Sequence, residues 1–304
     1  VEEDALGFDL KLNHGWTQGI LSYMELDPLF RRGSYYDMLM SMVYAYTEKF
    51  ALPVTQDYMH GTLGSMYKKM PGSNVQKINN LKVLYGYMMT HPGKKVLFMG
   101  QDYGEPCAWK RTNVLQTDTQ LISPHKELEK YVSAWNAFYK KHPALYKMDF
   151  SEDGFEWINQ ISADENIIVF VRKTDKKEDT LLVVCNFVPV EWENYKIGVP
   201  YPGRYKEVFN SDAAEYGGSG YVNPRVKTAK ADECDAREYS IRIRTAPLSI
   251  SVFQYSENDK PAGRPETSLK NALKQKIEEA EKIGDVEKQA RAAKAVEENR
   301  RKRR

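Results

Sequence analysis

Leu52-Pro53-Val54-Thr55-Gln56-Asp57-Tyr58-Met59-His60 reads as a short apolar strand that runs into a polar turn. Asp57 stands at that turn. In an α/β fold, chemistry is placed at the carboxyl ends of buried strands, so this carboxylate is a candidate functional group. A plainer reading makes Asp57 the N-cap of the next helix, near residues 61–69, because Asp is favoured there.

Upstream, residues 6–12 alternate apolar and polar and predict a strand. Residues 18–24 predict a helix, and Asp27-Pro28 breaks the chain, because a residue before proline avoids the helical region. Ser34 is placed to cap a helix reaching about Tyr46, with Met38, Met42, Val43 and Tyr46 on one face. Downstream, a long helix should begin near Ser73 or Asn74. Val75, Ile78, Leu81, Leu84, Tyr85 and Met88 keep its period, and Pro92-Gly93 ends it. Residues 95–99 predict a strand, followed by a loop over 100–123. Ser123-Pro124 then reads as a helix start, with Ser as N-cap and Pro in the first turn. Leu128, Tyr131, Val132, Trp135, Phe138 and Tyr139 form its apolar face, and Pro143 closes it. Strands alternating with helices argue for parallel β/α units, too few to close an eight-stranded barrel. Such a piece has open strand edges, an aggregation hazard.

From residue 150 the pattern changes. Strand-like runs lie at 155–158, 167–171, 181–187, 205–209, 239–244 and 248–253, with turns at Asp153-Gly154, Thr174-Asp175 and Pro202-Gly203. Tyr239, Ile241 and Ile243 alternate with Ser240, Arg242 and Arg244, so one face should be buried and one wet. Many short strands at this spacing predict a β-sandwich. Gly217-Gly-Ser-Gly220 is a loop and no nucleophile elbow, since Tyr221 stands where the last glycine belongs. Residues 256–267 read as a polar linker. Residues 268–304 read as one charged helix with a thin stripe of Leu269, Leu273, Ile277, Ala280 and Ile283, ending Arg300-Arg-Lys-Arg-Arg304. Such a tail is a solvated helix, or it docks on a partner helix or an anionic surface. The plan is α/β plus all-β in three parts: 1–149, 150–255 and 256–304.

With 304 residues, 41% hydrophobic and 28% charged, the chain has the composition of a soluble globular protein of about two domains. A net charge of +2 gives no reason to expect nucleic acid on the body of the chain. The 20 tyrosines serve either packing or a sugar-binding surface, where rings stack and hydroxyls hydrogen-bond. Cys107, Cys185 and Cys234 are isolated, and the histidines form no H-E-x-x-H. No structural zinc, other metal or cofactor is expected, and a reducing, cytoplasmic setting fits. No run is long enough to span a membrane. There is no signal peptide, although Val1 is not an initiator methionine.

Seven segments carry a resemblance, in chain order: Gly7-Phe-Asp-Leu-Lys-Leu-Asn13, Leu52-Pro53, Asp57, Lys69-Met-Pro-Gly72, Gly93-Lys-Lys-Val-Leu-Phe-Met-Gly100, Gly154-Phe-Glu-Trp-Ile158 and Asn186-Phe-Val-Pro189. Together they resemble the last part of the bacterial glycogen-branching (1,4-alpha-glucan branching) enzymes, in the alpha-amylase family. The resemblance implies the last β/α units of a (β/α)8 TIM barrel that begins before Val1. A C-terminal all-β domain follows. The tail has no counterpart.

Retaining cleavage of an α-glucosidic bond uses two carboxyl groups about 5 Å apart, one nucleophile and one general acid/base. The resemblance implies that a branching enzyme passes the glucan segment to a sugar hydroxyl instead of water. It also implies a third carboxylate that stabilises the oxocarbenium-like transition state. Asp57 matches that third carboxylate. The nucleophilic Asp and the acid/base Glu match nothing in this sequence. The family's Ser-His-Asp-Glu reads Thr55-Gln56-Asp57-Tyr58 here, its later Glu-Trp reads Ala108-Trp109, and its Leu-Asp-Trp reads Leu115-Gln116-Thr117. Gln56 keeps a hydrogen-bond donor but not an imidazolium charge. Gln56, Tyr58 and Trp109 are the substrate-binding candidates, with Trp109 as a sugar platform. Two function classes follow. One is the C-terminal portion of a branching transferase, inactive alone, with α-glucan (glycogen, amylose) and the missing N-terminal barrel half as partners. The other is a non-catalytic glucan-binding or scaffolding paralogue. Asp102 and Glu105 are the other clustered acids of the barrel part; loop solvation is their expected role, and they are the reserve catalytic groups should the chain alone show activity.

Overall fold

The computed structural model describes residues 7–112, 115–159 and 165–257. Most of the expected tail, from residue 258 on, lies outside them. The first part runs β1 (Lys11–Leu12), α1 (His14–Met24), α2 (Tyr35–Leu39), β2 (Phe50–Val54), α3 (Met66–Lys69), α4 (Asn74–Thr90), β3 (Lys94–Leu97), α5 (Thr117–Gln120) and α6 (His125–Lys141). The strands form one parallel sheet in the order β1-β2-β3. Its middle strand is buried at every position, whereas β1 is exposed and β3 half-buried. Phe8, Leu10 and Leu12 are exposed along the β1 side.

Several local expectations shift. The 6–12 strand shrinks to Lys11–Leu12. The first helix starts earlier, at His14, because the buried Asn13 side chain accepts the Trp16 N–H at 2.9 Å and caps it. The helix expected from Ser34 to Tyr46 is only five residues long. It continues as a short 3-10 turn, Met40–Val43, and Ser34 makes no side-chain cap. Of its proposed face only Met38 is buried; Val43 is exposed. At α6 the N-cap is Pro124 itself, with no side-chain bond from Ser123.

Helix α4 was legible as amphipathic, and its start is a full capping box between Ser73 and Gln76. Val75 is exposed, and the other apolar positions are buried. The unexpected feature is that Asn80, Lys82, Val83, Gly86, Tyr87 and Thr90 are buried as well. Both sides of the helix are covered, because it also lies against the β-sheet of the second part. Each fully buried large apolar side chain there contributes about 1.5–3 kcal/mol.

That second part comprises β4 (Phe155–Asn159), β5 (Ile167–Arg172), β6 (Leu181–Asn186), β7 (Trp192–Val199), β8 (Arg204–Asn210), β9 (Lys227–Thr228), β10 (Tyr239–Thr245) and β11 (Ser249–Ser256). Strands β7 and β9 were not expected. β7 opens on polar Trp-Glu-Asn, and only Tyr195, Ile197 and Val199 carry its buried side. The strands form a six-stranded sheet, β4-β5-β6-β11-β8-β9, and a two-stranded sheet, β10-β7. Their inner faces share one core, with Ile197, Val199, Ile241 and Ile243 against Val169, Leu182, Val184 and Phe253. On β10 the expected alternation holds except at Ser240, which is buried.

The six-stranded sheet uses its other face too. Ile168, Phe170, Val183, Cys185, Ile250 and Val252 join one core with Leu81, Leu84, Tyr87, Tyr131 and Trp135. Close approach is made at Gly86, where an added Cβ would lie 2.5 Å from Ile250 Cγ2 and 2.7 Å from Tyr131 Oη. Gly86→Ala should therefore destabilise the protein by about 1–3 kcal/mol despite alanine's better helix propensity. Urea denaturation would measure it, and an unchanged midpoint would refute the tight contact.

Two buried cations tie the parts together. Arg31 donates to the Phe187, Met24 and Leu26 carbonyls and to Asn80 Oδ1. Arg172 donates to Asp149 Oδ1 at 2.9 Å, to the Thr90 carbonyl at 2.7 Å and to the Gly154 carbonyl at 3.1 Å. Five of the tyrosines (Tyr23, Tyr85, Tyr87, Tyr131 and Tyr205) are fully buried, so packing accounts for those.

Candidate functional site

The carboxyl ends of β1, β2 and β3 bring the candidate residues to one end of the sheet. β2 ends at Val54, Thr55 stays extended, and Gln56–Tyr58 make a single 3-10 turn. Asp57 is exposed there and accepts the Thr55 hydroxyl at 3.0 Å. It does not cap the following helix. That cap belongs to Ser65, whose hydroxyl accepts the Lys68 N–H at 3.2 Å. The capping reading of Asp57 is therefore corrected, and its carboxylate points to solvent with one oxygen steadied.

Tyr58 is half-buried beside it. Its hydroxyl lies 2.7 Å from His14 Nδ1, which follows β1, and the two rings are 5.9 Å apart. Burial lifts the Tyr58 phenol above its ordinary value; a hydrogen bond with Thr17 pulls the other way, and the Asp57 charge adds to the rise. The phenol thus stays protonated at neutral pH, and it can exchange hydrogen bonds with the imidazole in either tautomer. Thr17 also donates to the Pro53 carbonyl at 2.6 Å, stitching α1 to β2.

His14 was missed at the sequence level. A usable signal existed: it is the first residue beyond the Gly7–Asn13 run, at the same strand end that drew attention to Asp57. Gln56 is half-buried in the turn, and its backbone carbonyl accepts the Met59 N–H at 2.9 Å.

Trp109 arrives from the loop after β3. Its backbone N–H donates to the Met59 carbonyl at 2.7 Å, and it forms a bridge with His60. Its ring meets Phe98 edge to face with centroids 6.0 Å apart. The structure thus links Trp109 to the Met59 end of the Asp57 turn, and Tyr58 to His14.

The two acids of that loop separate. Asp102 is half-buried, whereas Glu105 is buried at 6% exposure, so solvation is not its role. Glu105 accepts the Tyr103 hydroxyl at 2.8 Å and the N–H groups of Cys107 and Gln116 at 3.0 Å each. With both oxygens bound, it organises the loop. Beside it, Met59, Phe98, Met99, Gln101, Trp109 and Leu115 line a small pocket.

Among the described residues no group of three or more His, Cys, Asp or Glu side chains is placed to hold a metal ion. Among them, too, no helix is long and apolar enough to cross a membrane.

Comparison with other proteins adds to this geometry. Residues 157–256 match the family model described as the alpha amylase, C-terminal all-beta domain. The chain is 40% identical over 254 residues to the 1,4-alpha-glucan branching enzyme GlgB of Oceanobacillus iheyensis, covering 84% of this chain and 40% of that protein. It is 39% identical over 252 residues to GlgB of Geobacillus stearothermophilus, covering 83% of this chain and 39% of the relative. The chain therefore spans about two fifths of the length of the curated relatives it matches. Among solved structures, AmyP in complex with maltotriose superposes with a TM-score of 0.57 at 11% identity, over 83% of this chain and 51% of that one. The alpha-amylase of Geobacillus thermoleovorans complexed with acarbose gives 0.52 at 11% identity, over 83% and 49%. At such identities the likeness concerns the fold alone.

Proposed function

We propose that this chain is the C-terminal portion of a bacterial 1,4-alpha-glucan branching enzyme of the alpha-amylase family and that it serves transfer of an α-1,4-glucan segment to a 6-hydroxyl. The observation that carries this reading is the placement of Asp57. It stands exposed just past a buried, centrally placed parallel strand, with Tyr58, His14 and Trp109 grouped about the same strand ends. That is where a barrel presents its chemistry.

In this reading residues 1–149 are the last units of a (β/α)8 barrel and 150–255 its C-terminal all-β domain. The substrate is an α-glucan such as glycogen or amylose; the names of the relatives support this. The nucleophile and acid/base come from the barrel half that the described sheet lacks. Asp57 contributes charge and hydrogen bonding to the transition state. Gln56 and Tyr58 bind sugar hydroxyls, and Trp109 provides a flat apolar face. The setting is cytoplasmic, where the unpaired Cys107, Cys185 and Cys234 stay reduced.

A second reading, a glucan-binding paralogue without turnover, is favoured by one detail. The turn reads Thr-Gln-Asp-Tyr, and the partner that steadies Asp57 is the Thr55 hydroxyl. A branching assay decides between them. The purified chain is incubated with amylose, iodine colour is followed, and α-1,6 linkages are counted by NMR. The chain alone should be silent. Activity on adding the upstream barrel half establishes the transferase, and continued silence with retained glycogen binding establishes the paralogue. Branching by the chain alone would overturn the assignment of the missing carboxylates.

A further inference from the structure

Asn13 fixes the residue that follows it. Its backbone N–H donates to the Ala51 carbonyl at 2.8 Å, and its side chain caps α1 while accepting the Tyr44 hydroxyl at 3.1 Å. His14 is thereby held at the first position of α1, with its ring exposed and Nδ1 2.7 Å from the Tyr58 hydroxyl. The hydrogen bond between them is itself exposed, so a ligand can reach the phenol oxygen.

A phenol has one proton to give and lone pairs that accept. Around this one stand Nδ1, the His14 carbonyl at 3.5 Å and Thr17. The carbonyl is too distant for a strong bond. Thr17 is fully buried, and its own proton goes to the Pro53 carbonyl at 2.6 Å. A neutral imidazole nitrogen is a stronger acceptor than either oxygen, which leaves Nδ1 as the partner best suited to the Tyr58 proton.

We propose that His14 is a positioning residue: its Nδ1 takes the Tyr58 proton, so that Tyr58 meets the glucan as a hydrogen-bond acceptor. The phenol oxygen then turns lone pairs outward, and they pair with a sugar hydroxyl that donates. Without the imidazole the same hydroxyl rotates freely and offers either role, and ordering it on binding costs affinity. The bond also joins the ends of β1 and β2, so Tyr58 is set before the sugar arrives. The inference rests on the α-glucan reading, in which Tyr58 binds sugar hydroxyls, and deepens it by naming what sets the polarity of that contact.

The test has two arms on the full chain. The first is long-range proton–nitrogen NMR on 15N-labelled protein. It should show His14 protonated at Nε2 and bare at Nδ1, a preference lost in Tyr58→Phe. A proton on Nδ1 overturns the inference and leaves the glucan reading standing. The second arm is calorimetric titration with maltotriose. His14→Ala should bind about three- to tenfold more weakly, the effect of one neutral hydrogen bond, with an unchanged Tm because the ring is exposed. His14→Asn places an oxygen near the position of Nδ1 and should restore most of the loss. In a Tyr58→Phe background His14→Ala should cost nothing further, because His14 acts through the phenol. Undiminished binding by His14→Ala overturns the inference, and so does an equal loss in the two backgrounds, which would mean that the imidazole touches the sugar itself. Failure of the unsubstituted chain to bind maltotriose overturns the glucan reading, while the NMR arm still decides the bond.

Discussion

Asp149→Ala should cost this protein about 3–5 kcal/mol, the effect of breaking a buried ion pair by removing one partner. Asp149 is 2% exposed and Arg172 is fully buried. Their oxygen and nitrogen are 2.9 Å apart, and Lys94 reaches the second carboxylate oxygen at the same distance. Truncation would leave the guanidinium deep in the protein with two carbonyls and no counter-charge. Lys94 sits at the start of β3, whereas Arg172 ends β5, so the loss falls where the two parts join. Guanidinium or urea unfolding would measure it. A cost under about 1 kcal/mol would mean that water reaches Arg172.

The same pair sets an acid limit. Burial alone would raise the Asp149 carboxyl, but Lys95 and Arg172 outweigh it and hold the group below the usual carboxylate range. A carboxyl whose folded pKa is depressed stabilises the protein above its unfolded pKa, about 3.9. That contribution is lost as pH falls through the depressed folded value. The unsubstituted protein should therefore lose stability more steeply below about pH 4 than Asp149→Asn does. Parallel pH profiles would remove Asp149 from the account.

Asp57→Asn is the second large effect, read in the protein assembled with its upstream barrel half. It should lower kcat about 10²–10³-fold, the usual consequence of removing one group aimed at transition-state charge. KM should change little, because the group is proposed to act on the oxocarbenium-like state and not on the bound glucan. The substitution is structurally mild. Asn keeps an oxygen for the Thr55 hydroxyl, and the position is exposed, so the melting temperature should hold. A full kcat would reduce Asp57 to a turn residue. A raised KM at constant kcat would make it a sugar-binding group only.

How far the sequence reached can be judged at particular residues. The β2 turn and Asp57 were legible because an apolar run ending in Thr-Gln-Asp leaves few alternatives. Helices α4 and α6 were legible through their period. Strand β7 was not, because its alternation rests on Tyr195, Ile197 and Val199 alone, after an opening Trp-Glu-Asn that stays largely outside the core. The caps at Ser34 and Ser123 failed because a favoured residue type says nothing about whether the following N–H groups turn toward it. Of the site, Trp109 could be named but its attachment to Met59 could not, since that bond joins loops fifty residues apart. Glu105 read as a surface acid because its three donors come from its own loop, which no periodicity reveals.

The double covering of α4 has a practical consequence. Residue 150 looks like a place to cut, and residues 150–257 look like a portable β module. Excised, that module would present Ile168, Phe170, Val183, Ile250 and Val252 to water, since their neighbours are Leu84, Tyr87 and Trp135. The seam visible in composition is thus not a seam in cooperativity. Anyone grafting this β module onto another protein must carry α4 and α6 along, together with the segment that brings Arg31 to the Phe187 carbonyl.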